Sequence, residues 1–236
     1  GNISAGKSTL CTELADALGY KLYMEPMTEN PFLTRYYKEP KKYALPMQLW
    51  LLKQRFVTYI SAIRFALENA DTTPGVILDR SVFSDVVFAQ KNYEDGNFGE
   101  DGNAFYHSLR TQMLSHSPAP HVVLYLDASP ETCWTRIHEL RKRDCEDGIP
   151  LEYLSGLHKC YVEFLSGMES LGATVMSLPW NDFGSTADVA SAVAALPRPA
   201  DSWVADAKLH EFVESPEAVG AAMSLGYTVD GAEGSE

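Results

Sequence analysis

The sequence has few cysteines and few basic residues, and it lacks long hydrophobic runs. No C-x-x-C pair occurs among its four cysteines, Cys11, Cys133, Cys145 and Cys160, so the pattern favours free thiols over a zinc site or a disulfide framework. Nineteen Lys and Arg against 32 Asp and Glu give a formal net charge of −13, and a field of that sign repels nucleic acid and anionic membranes. No apolar run reaches the roughly 20 residues of a membrane-spanning helix. We therefore expect neither nucleic-acid binding nor membrane insertion, and any bound phosphate must be held by a local site.

The composition is that of a globular domain with an appendage. The 236 residues are 45% hydrophobic and 22% charged, which excludes a wholly disordered or fibrous chain. After Pro197 the character changes, since residues 201–236 hold eight acidic residues and one basic residue. We predict a domain over residues 1–198 and an acidic C-terminal extension over residues 199–236.

Short apolar segments alternate with helical patterns along the chain. Apolar residues recur every three or four positions between Lys41 and Glu68, which predicts one long helix. The predicted strands are Lys21–Glu25, Val76–Asp79, Val122–Asp127 and Thr174–Leu178. The predicted helices are Ser8–Leu18, Lys41–Glu68, Ser81–Lys91, Ala104–Leu114, Pro130–Leu140, Pro150–Met168 and Ala187–Leu196. This alternation favours the α/β class, with a parallel sheet covered by helices on both faces.

The chain opens on a motif that binds phosphates. Residues 1–8 (GNISAGKS) fit the pattern G-x-x-x-x-G-K-[ST], and a helix is predicted directly after it. Glycines let successive backbone N–H groups point at phosphate oxygens, and the helix N-terminus adds a partial positive charge. Lys7 would reach the β- and γ-phosphates, and the Ser8 hydroxyl would help to hold Mg²⁺. We predict a nucleoside triphosphate and Mg²⁺ as ligands, with binding residues Gly1, Asn2, Ser4, Ala5, Gly6, Lys7, Ser8 and Thr9.

A phosphate loop of this kind normally follows a buried strand, and no strand precedes Gly1 in the sequence. We therefore expect the first strand of the sheet, and any targeting segment before it, to be missing from this fragment. Such an end leaves the compartment open between cytoplasm and mitochondrion.

Two further polar clusters stand at predicted strand ends. Glu25 closes one strand and Asp79-Arg80-Ser81 closes the next, and ligands of open parallel sheets bind beyond the carboxyl ends of the strands. A glutamate there can accept the proton of an attacking hydroxyl, and an arginine can bridge phosphoryl oxygens and a substrate oxygen. Taken singly, each cluster also fits a plainer interpretation: a solvated glutamate, or a structural Asp–Arg pair at a strand–helix junction.

Five separated motifs in one order carry a resemblance. They are residues 1–8, Glu25-Pro26, Tyr37 with residues 40–48 (PKKYALPMQ), Asp79-Arg80-Ser81, and residues 136–154 (RIHELRKRDCEDGIPLEYL). In this order the sequence resembles the deoxynucleoside kinase family, which contains deoxycytidine, deoxyguanosine and deoxyadenosine kinases. The resemblance covers about residues 1–178 and leaves out the tail. It implies a P-loop kinase-type fold and an enzyme that transfers phosphate from ATP to the 5′-hydroxyl of a deoxynucleoside.

The resemblance also implies roles for the reacting groups. Glu25 resembles the family's general base for the sugar 5′-hydroxyl, and Arg80 resembles the arginine that contacts the 5′-oxygen and the transferring phosphoryl group. Asp79 stands where the family usually has a glutamate that works near the metal, so the carboxylate is kept on a shorter side chain. The implied catalytic residues are therefore Glu25, Arg80 and Asp79, and the implied metal-binding residues are Ser8 and Asp79.

A nucleoside pocket is implied in the same way. Tyr37 and Glu146 resemble the pair that hydrogen-bonds the sugar 3′-hydroxyl, and Gln48 resembles the amide that reads the base edge. Arg55 and Asp85 match a pair carried by members that accept cytosine or purine bases.

The ring expected to stack on the base is Phe88. The family's tryptophan shortly after the Glu-Pro pair is absent, and Asn30-Pro31-Phe32 stands in its place. That departure favours purines, so the expected substrates are purine deoxynucleosides or deoxycytidine.

Residues 136–143 resemble the family's lid and are one residue longer than in common members. Arg136, Arg141 and Arg143 would close over the phosphates and neutralise charge during transfer. In isolation, the same residues fit a basic, solvated helix end. The resemblance further implies a homodimer whose interface is formed by the long helices.

Two other interpretations remain open from the sequence. The same fold occurs as a non-catalytic accessory subunit of respiratory complex I, whose partners would be the other complex I subunits. Against it, Lys7, Glu25 and Arg80 are all chemically competent. A nucleoside-monophosphate kinase would share the phosphate loop but needs more cationic residues around its acceptor.

Overall fold

The structure, a computed structural model, describes residues 1–25, 30–115, 117–141, 146 and 148–197, together with residues 211, 213 and 215. Pro26, Arg143 and most of the predicted C-terminal extension lie outside the described residues. Within those ranges, no helix is both long enough and apolar enough to cross a membrane.

Helices and strands alternate along the described chain, as the sequence predicts. The helices are α1 (Lys7–Leu18), α2 (Leu33–Lys38), α3 (Pro40–Glu68), α4 (Asp85–Glu94), α5 (Glu100–Leu114), α6 (Pro130–Arg136), α7 (Leu151–Ser170) and α8 (Thr186–Ala194). The strands are β1 (Lys21–Tyr23), β2 (Val76–Leu78), β3 (Val122–Asp127) and β4 (Thr174–Pro179). A π-helical turn, Ile137–Arg141, continues α6.

Local sequence explains where several helices begin and end. α6 begins after Ser129, whose Oγ accepts the N–H of Thr132 at 3.1 Å, and Pro130 occupies the first turn, where its missing N–H costs nothing. α8 begins in the same way after Ser185. α1 ends at Gly19, whose φ of 66° lies in the left-handed region that glycine enters without strain.

The strands form two parallel pairs rather than one continuous sheet. β1 pairs with β2 from Lys21 opposite Val76, and β3 pairs with β4 from Val122 opposite Thr174. In the described residues, β2 and β3 form no ladder with each other. The predicted parallel arrangement with helices around it is confirmed, and the single sheet is replaced by two halves.

An apolar slot of about 490 Å³ separates the two halves. Ile77 of β2 and Val123 of β3 line it, and Ile63 of α3 and Phe164 of α7 lie on either side. Gly1 stands at the end of the slot, where a Cβ atom would lie 2.7 Å from the Leu126 carbonyl oxygen.

α3 organises the core and one wall of the site. Most of its 29 residues are buried, because helices pack around it and the slot adjoins it. Its apolar residues form one hydrophobic cluster with α4 and α5, while α1, α6 and α7 form a second. Tyr37 and Phe164 pack against both clusters and join them into a continuous core.

One residue of the predicted extension packs into this core. Val213 is 3% exposed and belongs to the cluster around α3, and its carbonyl oxygen accepts a hydrogen bond from the Arg64 guanidinium. The boundary predicted at residue 198 stays a prediction, and Val213 itself lies in the core of the domain.

Val213→Ala is expected to lower the free energy of unfolding by about 1–2 kcal/mol, because it removes buried methyl groups. Urea denaturation of the full chain measures this. Val162→Ala is the matched control, since Val162 is 56% exposed on α7 and should change stability by less than about 0.5 kcal/mol. Equal effects of the two substitutions would contradict docking of the extension.

Candidate active site

The phosphate loop has the conformation that its glycines predict. Ser4 (φ 60°) and Gly6 (φ 97°) both lie in the left-handed region, and Gly6 leads directly into α1. A Cβ atom on Gly6 would also lie 2.9 Å from the Phe183 ring. Only glycine therefore satisfies both the backbone angle and the space at this position.

Side chains behind the loop hold it in place. Asn2 is fully buried, donates to the Leu154 carbonyl at 2.9 Å and accepts the N–H of Ile3. The Arg136 guanidinium donates to the carbonyl oxygens of Ala5, Trp180 and Asn181 and lies 4.1 Å from the centre of the Phe183 ring. In this structure Arg136 supports the loop from its outer side, and its predicted phosphate contact stays a prediction.

Lys7 is held at the mouth of the loop. Its Nζ donates to the Asn2 carbonyl at 2.6 Å. Burial, with a further contribution from the charge of Arg80, lowers the pKa of Lys7 to about 7, although Asp79 and Glu25 act in the opposite direction. A phosphate anion beside this amine would favour its charged form.

Ser8 and Asp79 meet as a pair of oxygen ligands. The Ser8 hydroxyl donates to Asp79 Oδ2 at 2.5 Å. The other carboxylate oxygen, Asp79 Oδ1, is buried and has no hydrogen-bond partner among the described residues. Hydroxyl and carboxylate oxygens are the donors that Mg²⁺ prefers, so this pair fits the ion predicted from the motif. Thr9, the residue after Ser8 in α1, is exposed to solvent.

Glu25 lies between two arginines just beyond the end of β1. Its Oε1 accepts from the Nε of Arg55 at 3.1 Å and from a second Arg55 nitrogen, and its Oε2 accepts from the Nε of Arg80 at 3.1 Å. Burial alone would raise the pKa of Glu25, but the charges of Arg55 and Arg80, assisted by Lys7, lower it overall. The carboxylate is therefore ionised near neutral pH and lies within the field of the phosphate loop.

The conformation of Arg80 is unusual. Its φ of 69° places it in the left-handed region, which costs a non-glycine residue about 1–2 kcal/mol. The guanidinium donates to Glu25 and to the hydroxyl of Tyr161, and it lies 4.7 Å from the centre of the Phe88 ring. Strained residues of this kind concentrate at functional sites, where surrounding contacts maintain them.

A buried polar cluster lies beside Glu25, and its groups come from three helices. Asp85, the first residue of α4, accepts from Arg55 through Oδ1 and from Gln48 Nε2 through Oδ2 at 2.7 Å. Tyr106 of α5 donates to the same Oδ2 at 2.6 Å. Gln48 Oε1 is buried and has no hydrogen-bond partner among the described residues, and buried acceptors are normally paired. That oxygen is a candidate contact for a ligand N–H group.

Phe88 is a further predicted residue that lies against this cluster. Phe88 lies beside the guanidinium of Arg55 as well as that of Arg80, with 5.6 Å between the Arg55 carbon and the ring centre. The Tyr37 ring lies 5.2 Å from that of Tyr36, and Glu146 is buried. Arg143 and the side chain of Arg141 lie outside the described part of the structure, so their lid role stays a prediction.

Sequence reasoning missed three contributors. Tyr106 and Tyr161 are two of them, because a tyrosine on a buried helix face has no motif around it. Residues 180–183 also contact the loop through Trp180 and Phe183. A signal for this segment was available: it follows the carboxyl end of β4, as Glu25 and Asp79 follow the carboxyl ends of β1 and β2.

The fold and the loop together define a P-loop nucleotide-binding protein. The chain belongs to the deoxynucleoside kinase family, because the sequence model described as "Deoxynucleoside kinase" matches residues 1–196. It is 52% identical over 184 residues to a deoxyguanosine kinase of Dictyostelium discoideum, covering 78% of this chain and 63% of that protein. It is 34% identical over 195 residues to a deoxyadenosine kinase of the same organism, covering 83% of this chain and 76% of that protein.

Solved structures agree with this assignment. The deoxyadenosine kinase from M. mycoides with bound dCTP has a TM-score of 0.68 and 28% identity, covering 82% of this chain and 94% of that chain. A bovine mitochondrial NADH dehydrogenase subunit, the 1 alpha subcomplex subunit 10, matches more distantly at 28% identity over 182 residues, covering 68% of this chain and 52% of that protein. The family resemblance inferred from the five motifs is thus confirmed.

Proposed function

We propose that the protein transfers the γ-phosphoryl group of ATP to the 5′-hydroxyl of a deoxynucleoside. The observation that carries this proposal is the position of Glu25: an ionised carboxylate, held by Arg55 and Arg80, in the electrostatic field of Lys7. The nucleoside hydroxyl oxygen attacks the γ-phosphorus, the bond to the β,γ-bridging oxygen breaks, and ADP leaves. The hydroxyl proton passes to Glu25.

On the donor side, the loop N–H groups and Lys7 would bind the triphosphate. Ser8 and Asp79 would hold Mg²⁺, which when bound neutralises charge on the β- and γ-phosphate oxygens. A cavity of about 430 Å³ lies behind the loop and is lined by Thr132, Arg136 and Phe183 among others. We propose this cavity for the adenine of ATP, because the Phe183 ring, which lies against the Arg136 guanidinium, is largely exposed and offers a flat face on which a base can stack.

On the acceptor side, Arg80 would stabilise the charge that develops on the transferring group, since its guanidinium already lies against Glu25. Tyr37 and Glu146 would bind the sugar 3′-hydroxyl, and Phe88 would stack on the base. The lid arginines Arg141 and Arg143 would complete the charge neutralisation.

The hydrogen-bonding groups of the proposed base pocket favour guanine. Arg55 has five N–H donors, and its three hydrogen bonds to Glu25 and Asp85 leave two for a ligand. Guanine presents two adjacent acceptors, O6 and N7, to an arginine, together with N–H donors for the unpaired Gln48 Oε1. Thymine offers no such adjacent pair. The 52% identity to a deoxyguanosine kinase supports the same choice.

The assembly and compartment predicted from the resemblance stay predictions. A homodimer would give a mass of about twice 26.1 kDa, which light scattering of the purified protein measures. Cytoplasm and mitochondrion are the two expected locations.

The accessory-subunit interpretation receives less support. A scaffold needs only a surface, and it has no use for a buried carboxylate between two arginines, because assembling these charges in a protein interior costs free energy. The match to the bovine subunit is also far weaker than the match to the deoxyguanosine kinase.

The test is a substrate panel with γ-labelled ATP and Mg²⁺. We expect label to appear in 5′-monophosphates, fastest with deoxyguanosine and slowest with thymidine. A 2′,5′-dideoxynucleoside, which lacks the acceptor hydroxyl, is the control and should receive no label. Hydrolysis of ATP without any labelled nucleotide, or no consumption of ATP at all, would refute the proposal and leave the accessory subunit as the better description.

A further inference from the structure

Tyr106 belongs to the polar cluster of the pocket although nothing in the sequence pattern marks it. It lies on α5, and its whole side chain is buried in the cluster around α3. Its hydroxyl donates to Asp85 Oδ2 at 2.6 Å. Burial and the neighbouring Asp85 charge raise the pKa of Tyr106 well above its usual value, so this hydroxyl remains a donor at any working pH.

Asp85 is fixed by three donors at once. Arg55 occupies Oδ1, while Gln48 Nε2 and Tyr106 share Oδ2. Gln48 Nε2 also donates to the backbone carbonyl of Asp85 at 3.2 Å. Because the carboxylate cannot turn, the Gln48 amide is held with its nitrogen towards Asp85 and its oxygen left over for another donor.

We propose that Tyr106 is a positioning residue for base selection: by fixing Asp85 it sets the orientation of Gln48 and of the free N–H groups of Arg55. The proposal rests on the proposed function, because it concerns the nucleoside pocket of the same site. Without the hydroxyl, Oδ2 is held by Gln48 alone. The carboxylate can then turn about its Oδ1 contact with Arg55, and the Gln48 amide and the free Arg55 N–H groups shift with it out of register with the base.

The chain supplies a matched control. Tyr59 is another buried tyrosine of the same hydrophobic cluster, and its hydroxyl donates to the Pro118 carbonyl at 2.7 Å. Tyr59→Phe therefore removes one buried hydroxyl and one hydrogen bond, as Tyr106→Phe does, but away from Asp85. A purely structural role would make the two substitutions equivalent.

The experiment compares the wild-type chain of 236 residues with both variants, using deoxyguanosine and thymidine. For Tyr106→Phe we expect the KM for deoxyguanosine to rise about fivefold to tenfold, because a factor of that size corresponds to the loss of one hydrogen bond. The kcat of this variant should stay within about twofold of the wild-type value. The deoxyguanosine-to-thymidine ratio of kcat/KM should fall by the same factor, whereas Tyr59→Phe leaves it unchanged. A change of equal size for both nucleosides, or in both variants, would overturn the proposal.

Titration calorimetry separates this inference from the proposed function. If the wild-type chain binds deoxyguanosine without phosphorylating it, the kinase proposal fails, and the dissociation constants of the same variants still decide the role of Tyr106. A wild-type chain that binds no nucleoside would overturn both. As a further check, Tyr106→Phe introduced beside Asp85→Ala should alter the selectivity ratio no further, because the hydroxyl acts only through that carboxylate.

Discussion

Glu25→Gln is expected to lower kcat by roughly 10²–10³-fold while ATP still binds. The substitution keeps the size of the side chain but removes the group that takes the proton and orients the 5′-hydroxyl. General-base catalysis contributes about 10²–10⁴-fold in enzymes, and we expect the lower part of that range. Two arginines hold the pKa of Glu25 below its ordinary value of 4.5, which makes it a weak base and shifts its contribution towards orientation.

Steady-state assays with labelled ATP measure this loss, and nucleotide titration checks that the donor site is intact. Glu39→Gln is the matched control, because it makes the same chemical change at a solvent-exposed residue and should retain wild-type turnover. The variant at position 25 also loses some stability, about 1–3 kcal/mol, since two buried guanidinium groups lose their anion. Wild-type turnover by a folded Glu25→Gln chain would remove the general-base assignment. On the acid side, the wild-type kcat should not fall until the pH is below the ordinary glutamate pKa of 4.5, because the pKa of Glu25 is lowered in the fold.

Arg55→Ala alone is expected to destabilise the fold more than Arg55→Ala combined with Asp85→Ala. Arg55→Ala alone leaves Asp85 buried without its cation and Glu25 with one arginine fewer, which should cost about 3–5 kcal/mol of unfolding free energy. The double substitution removes the Arg55–Asp85 pair as a unit, so part of that stability returns. It also removes the groups that match a purine edge, and preference should shift towards thymidine.

Thermal or urea unfolding measures the first effect, and the ratio of kcat/KM for deoxyguanosine and thymidine measures the second. The exposed pair Glu39 and Lys42 supplies a control, because its two alanine substitutions should be nearly neutral and additive. If the double variant kept the wild-type base preference, Arg55 and Asp85 would not read the base. If it were no more stable than the single Arg55 variant, the two charges would not be coupled.

The features that the sequence predicts well are those encoded in contiguous residues. The phosphate loop could be predicted because its geometry depends on glycines and a lysine within eight positions, and the strand ends Glu25 and Asp79 followed from the rule for parallel sheets. Helix starts were less accurate. The helix predicted from Ser81 begins at Asp85, because Arg80 is left-handed and the Ser84 hydroxyl closes a turn onto the Ser81 carbonyl at 3.0 Å.

The features that could not be predicted depend on contacts between distant segments. Tyr106 reaches Asp85 only because α4 and α5 pack beside α3, and no local pattern distinguishes it from Tyr59 in the same cluster. The two-part sheet has the same origin. Each strand is recognisable from its own residues, but the hydrogen-bonded neighbours of β2 and β3 are fixed by the tertiary arrangement.

The slot between β2 and β3 has a consequence for handling the protein. On its two sides, strand edges offer unpaired backbone donors and acceptors next to apolar walls. Exposed edges of this kind recruit any extended chain that can lie along them, including copies of the same protein. Self-association of this chain at high concentration is therefore expected to start at this slot.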